Sequence, residues 1–122
     1  MRPFVPIRPH ARPLLVLLLA AAAISAASAQ ELFVGNYTHT IAVFHRSDNG
    51  DAAPQRILSG ASTGMNLPRG IAVDVVHDEI FVTNYLGNSI TVYARTATGD
   101  TAPIRTIGGD KTLLDYPYGI AL

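Results

Sequence analysis

Four blocks of this chain occur twice, in the same order, and that duplication limits the fold more than any other feature. Leu32-Phe33-Val34-Gly35-Asn36-Tyr37 returns as Ile80-Phe81-Val82-Thr83-Asn84-Tyr85, 48 residues later. Ile41-Ala42-Val43-Phe44 returns as Ile90-Thr91-Val92-Tyr93, Gly50-Asp51-Ala52-Ala53-Pro54 as Gly99-Asp100-Thr101-Ala102-Pro103, and Leu67-Pro68-Arg69-Gly70-Ile71-Ala72 as Tyr116-Pro117-Tyr118-Gly119-Ile120-Ala121, all at 49. The single change of offset falls between Tyr37 and Ile41. Loops absorb insertions, so a hairpin tip belongs there. A period of this length built from short segments fits sheet blades rather than helical repeats.

The segments read as strands. They are β-branched and aromatic, and Gly, Asn, Asp and Pro bound them. One complete blade runs as an inner strand at 70–75, a second at 80–84, a third at 89–94 and an outer strand at 104–107. Pro103 suits the start of an outer strand, where a missing ladder donor does least harm. The second and third strands carry apolar residues on both faces, as a sheet covered on both sides requires. The fold class is therefore all-β, with four-stranded antiparallel blades and an incomplete ring. The expected strands come in groups of three (residues 32–58), four (70–107) and one (118–122).

The N-terminal stretch reads as an export signal rather than as fold. Arg2, Arg8 and Arg12 precede an apolar run at residues 14–24, and Ala27-Ser28-Ala29 offers a cleavage site after Ala29. The run of 11 residues is far short of the ~20 that span a bilayer. The expected division is a signal helix within residues 1–29 and a repeat region at 30–122. Localisation is then secreted or periplasmic. Removing the signal leaves six basic residues against nine acidic ones, a formal charge of −3. That balance, without a basic cluster, argues against nucleic acid as a partner and against a membrane surface after cleavage. The chain holds no Cys, so neither disulfides nor thiol chemistry are available.

The run Pro68-Arg69-Gly70-Ile71-Ala72-Val73-Asp74, followed by Ile80-Phe81-Val82-Thr83-Asn84 and Asn88-Ser89-Ile90-Thr91-Val92-Tyr93, resembles the NHL and YVTN families of bacterial propeller repeats. The resemblance extends over essentially all of residues 30–122. It implies β-propeller blades and says little about activity, because those families include interaction scaffolds, surface-layer proteins, lactonases and streptogramin-type lyases. Propellers usually need ~4–8 blades, and about two are visible. Two readings stay open. In the leading one the chain is a fragment of a longer propeller. In the other it is a two-blade subunit of a homo-oligomer, whose last inner strand completes the first blade of the next copy. A lone pair of blades would leave roughly four to six large apolar side chains bare on each open face, on the order of 10 kcal/mol of missing burial.

Catalytic signatures are scarce: the chain has no G-x-S-x-G, HExxH, P-loop or GxGxxG pattern. His77-Asp78-Glu79 has metal-ligand residue types, but such a run in a turn more often faces water. Asn36-Tyr37-Thr38 matches a glycosylation pattern, yet Asn suits hairpin turns in both copies. No cofactor and no metal site is expected. If a ligand binds, the loops from outer to inner strand and from second to third strand open on one face. Those loops carry Arg69, Tyr118, Asn36, Tyr37, Asn84 and Tyr85. They suit a small polar ligand or a protein partner. The expected function is a non-enzymatic binding or interaction scaffold, with a lactonase or lyase fragment as the alternative.

Overall fold

The computed structural model describes residues 2–6 and 30–122. The expected signal helix and its cleavage position lie outside the described residues. The chain divides into two compact units, Met1–Gln30 and Glu31–Leu122, and the fold below is that of the second.

It is all-β, without an α-helix among the described residues. β1 (Glu31–Asn36), β2 (Thr40–His45) and β3 (Arg56–Ser59) form one antiparallel sheet in that order. β4 (Pro68–Asp74), β5 (Glu79–Asn84), β6 (Ser89–Ala94) and β7 (Arg105–Gly108) form the second, also antiparallel and also in chain order. A single 3-10 turn follows each sheet, at Ala61–Thr63 and Asp110–Thr112. The two turns are 49 residues apart, so the duplication persists into the loops.

Three local differences from the sequence reading have physical causes. The inner strand β4 begins at Pro68, two residues early, and its register to β5 shifts between Pro68 and Ile71. Pro68 has no N–H to give the ladder. Within the shift, the hydroxyl of Thr83 takes over as acceptor for Gly70 N–H at 2.8 Å. The outer strand β7 starts one residue late, because Ile104 N–H already bonds the Val92 carbonyl ahead of the paired residues. Residues 118–122, expected as a further inner strand, form no ladder. A strand exists only through a neighbour's hydrogen bonds. No described strand pairs with this segment, so seven strands form rather than eight. The segment is still held in place, since Thr83 Oγ1 donates to the Tyr118 carbonyl at 3.0 Å. Gly70 permits that approach: a Cβ there would sit 2.6 Å from the Tyr118 oxygen.

The core lies between the two sheets. Phe33, Ile41, Val43 and Leu58 project from one face of the first sheet, and Ile80, Val82 and Tyr93 oppose them from the second, with Met65, Ile71 and Ala97 around them. The opposite face of the first sheet leaves Leu32, Val34 and Ile57 between 42% and 47% exposed. Alternation along each strand produces this division.

Polar contacts close the same junction. Arg56 holds Glu31 through its two terminal guanidinium nitrogens, at 2.6 and 3.2 Å, and donates from Nη2 to the Arg95 carbonyl at 2.7 Å. Arg95 reaches back across the junction to Glu31 at 2.5 Å and clamps Asp78 at 2.7 Å. These arginines keep the Glu31 carboxyl below the ordinary glutamate range, the Arg56 hydrogen bond contributing most, against the opposing effect of burial. Further along, Asp100 accepts from Ser62 N–H at 2.8 Å and from Ser62 Oγ at 3.2 Å. Gly99 exchanges backbone bonds with Ser59 and Ile57. The buried Tyr93 hydroxyl donates to the Thr63 carbonyl, and burial pushes the phenol pKa up.

Candidate functional site

Arg69 stands near the start of β4 with its side chain exposed. Strand alternation turns it away from the buried Pro68, toward the turns that end β1 and β5. Its guanidinium lies 5.9 Å from the ring centre of Tyr37, 5.3 Å from Tyr85 and 5.4 Å from Tyr118. Tyr37 comes from the turn after β1, Tyr85 from the turn after β5, and Tyr118 from the final segment. Three stretches distant in sequence therefore meet one cation. The rings also order one another. Tyr85 meets Tyr118 edge-on at 6.1 Å and Tyr116 at 5.2 Å with a 42° tilt. Each cation–π contact at an exposed site is worth about 0.5–1 kcal/mol.

Among the described residues no carboxylate forms an ion pair with Arg69. The other arginines of the sheets behave differently. Arg56, Arg95 and Arg105 are each committed to a Glu or Asp. Arg69 presents charged N–H donors at an aromatic rim, where they suit a carboxylate or another planar anion.

Of the six residues singled out in the sequence, four assemble at this rim: Arg69, Tyr37, Tyr85 and Tyr118. The two asparagines do not join them. Asn84 is fully buried, its Oδ1 accepting from Asn66 N–H and its Nδ2 donating to Thr91 Oγ1, both at 3.0 Å. Asn36 donates to Thr40 Oγ1 across its own hairpin at 3.1 Å. A buried amide must find partners, and Asn84 finds them in Asn66 and Thr91, while the half-buried Asn36 is taken up by Thr40. Tyr116 was missed, although it occupies the position of Leu67 in the second copy and could have been found there.

The histidines have local duties. His39 Nδ1 accepts from Leu67 N–H at 2.8 Å, and Asn88 Oδ1 makes the same bond to Tyr116 N–H at 2.8 Å, 49 residues on. The two residue types thus serve one loop-bracing role. His45 bonds Ser47 Oγ at 2.6 Å. His77 meets Asp74 Oδ2 at 2.7 Å, and this contact raises the imidazole pKa. Asp74 is lowered, first by the backbone N–H of His77 and then by its ring. The neighbouring Asp78 and Glu79 turn to Arg95 and Arg105. No set of three His, Asp or Glu among the described residues is arranged to hold a metal ion. Compared with known proteins, the chain matches no family model and no curated protein.

Proposed function

We propose that this chain is an exported, non-enzymatic binding scaffold made of β-propeller-type blades, and that the rim around Arg69 is its ligand surface for a carboxylate group. The blade reading draws support from two sheets of matching strand order, stacked face to face at a repeat of 48 to 49 residues. Export draws support from the basic, apolar and small-residue pattern of residues 1–29. The observation that carries the ligand reading is the Arg69 guanidinium, surrounded by three tyrosine rings and lacking a carboxylate partner among the described residues.

Benzoate and benzamide make a matched pair of probes. Both offer a ring to the tyrosines, and only benzoate offers an anion to Arg69. Titration followed by NMR should shift the Arg69 side-chain and Tyr ring resonances with benzoate and leave them nearly unmoved with benzamide. Arg69→Gln should abolish the difference. Equal response to both probes, or to neither, would overturn the carboxylate reading. Metal-dependent lactone hydrolysis by the purified chain would overturn the non-enzymatic one.

A further inference from the structure

The contacts that join the first sheet to the second are duplicated in the chain, but each duplicate has only one half filled. Glu31 is held by Arg56 and by Arg95 from the next sheet. Its counterpart Glu79 is held in the same way by Arg105, at 2.8 and 2.7 Å, and Arg105 lies over Phe81 as Arg56 lies over Phe33. The second arginine is missing from Glu79. The residue that repeats Arg95 is Arg46, which is exposed and forms no ion pair among the described residues.

The glycine turns tell the same story. A Cβ on Gly60 would meet the Asp100 carboxylate at 2.3 Å, so Asp100 fills the space that this glycine leaves. Gly109 repeats Gly60 with a similar backbone (φ 106 against 136), and nothing lies within 4 Å of its Cβ position. Asp51 repeats Asp100 and is exposed. Lys111 repeats Ser62, so an aspartate entering at Gly109 would meet an ammonium as well as a backbone N–H. Finally, residues 118–122 repeat the first part of β4 and join no ladder among the described residues, while β1, the counterpart of β5, pairs on one side only there.

We infer that the outer face of the second sheet docks the outer face of the first sheet of a second copy of this chain, head to tail. The interface repeats the junction already present within the chain. Arg46 of one copy meets Glu79 of the other, Asp51 enters at Gly109 and Lys111, and Ile120 pairs with Val34 in the register that Ile71 and Val82 use. The apolar residues Leu32, Val34 and Ile57 on one face then cover Phe81, Ile90 and Ile107 on the other. Charge selects the occupant and the orientation, since Lys111 and Glu79 on one face have their opposite charges, Asp51 and Arg46, on the other face of the same chain. The contact is heterologous, so it closes a ring or extends as a filament. It requires no bound carboxylate, so the cross-linking below succeeds or fails independently of the benzoate titration.

The chain has no cysteine, so introduced thiols report cleanly. Asp51→Cys and Lys111→Cys chains, oxidised together, should form a disulfide-linked dimer, whereas either alone should not. Arg46→Glu sets a carboxylate against Glu79 and should weaken association about tenfold or more in sedimentation. The exchange Asp51→Lys with Lys111→Asp should restore what Asp51→Lys alone removes. Self-linking of either single-cysteine chain would mean a symmetric contact and would overturn the proposal. A monomer at all concentrations, without mixed cross-links, would do so too, leaving these faces to another repeat or a different protein.

Discussion

Glu31 and Glu79 occupy equivalent positions, begin equivalent strands and hold equivalent arginines, yet they live in different surroundings. Glu31 sits at the junction of two sheets, between Arg56 and Arg95, whose side chains are 17% and 8% exposed. Glu79 lies on an open face beside Arg105, 47% exposed. The same carboxylate–guanidinium pair is thus a structural joint in one copy and a surface ornament in the other. Sequence repetition sets the chemistry of a pair, whereas stacking sets how much that chemistry is worth.

The largest break in this comparison should come from Glu31→Gln. It removes the carboxylate shared by two guanidinium groups of which little is exposed, leaving Arg95 its Asp78 and Arg56 the Arg95 carbonyl, and removing one member of a partly buried ion pair costs about 3 kcal/mol. For a unit of this size that lowers the melting midpoint by more than roughly 10 °C. Glu79→Gln, read below the concentration at which copies associate, should leave the midpoint nearly unmoved. The pH dependence should separate them as well. Glu31 has a lowered pKa in the folded chain, so its contribution is present above the ordinary glutamate range. It is lost as pH falls through that range and then through the folded value. In acid titrations the Glu31→Gln chain should therefore show a flatter stability profile than wild type. Equal melting shifts for the two substitutions would mean that burial does not distinguish the copies.

A smaller difference should separate Gly60 from Gly109. Both have positive φ, so alanine at either incurs about 1–3 kcal/mol of backbone strain. Only Gly60→Ala also pushes on Asp100, whose carboxylate would have to leave its two bonds to Ser62. Gly60→Ala should thus cost about 1 kcal/mol more than Gly109→Ala in chemical denaturation. Above the association threshold the order should narrow, because Gly109 then receives an aspartate of its own. A Gly109→Ala chain that matches Gly60→Ala when dilute would show that the Asp100 cradle contributes nothing.

What the sequence revealed, and what it hid, follows the same line between local pattern and stacking. Seven strands were legible from their β-branched residues and bounding turns, and β6 fell on Ser89–Ala94 as read, whereas the expected strand at residues 118–122 carries the same local pattern without a paired neighbour among the described residues. The extra hairpin residue was legible too, since the β5–β6 turn is one residue longer than the β1–β2 turn. The Arg95–Glu31 contact was not, because it joins residues 64 apart that lie just outside the apolar blocks. At the rim, loop topology located Arg69, Tyr37, Tyr85 and Tyr118. Asn36 and Asn84 carry the same polar character in sequence, and only the folded hydrogen bonds show that one amide is spent on its own hairpin and the other on Thr91 and the Asn66 loop.

The smallest effect should come from one hydroxyl. Tyr93 and Phe44 are repeat equivalents, and they differ by the oxygen that donates to the Thr63 carbonyl. Tyr93→Phe leaves that carbonyl without its donor and should cost about 1 kcal/mol in denaturation. Phe44→Tyr adds the same oxygen on the outer face of the first sheet, where no counterpart of the Thr63 carbonyl stands among the described residues of the monomer. Docked head to tail, it would face the Thr112 carbonyl of the second copy, the counterpart of Thr63. Monomer stability should then stay unchanged while association tightens by about fivefold, the yield of one ordinary hydrogen bond. If Phe44→Tyr instead weakens association, this face does not meet Thr112, and the register inferred from the internal junction is wrong.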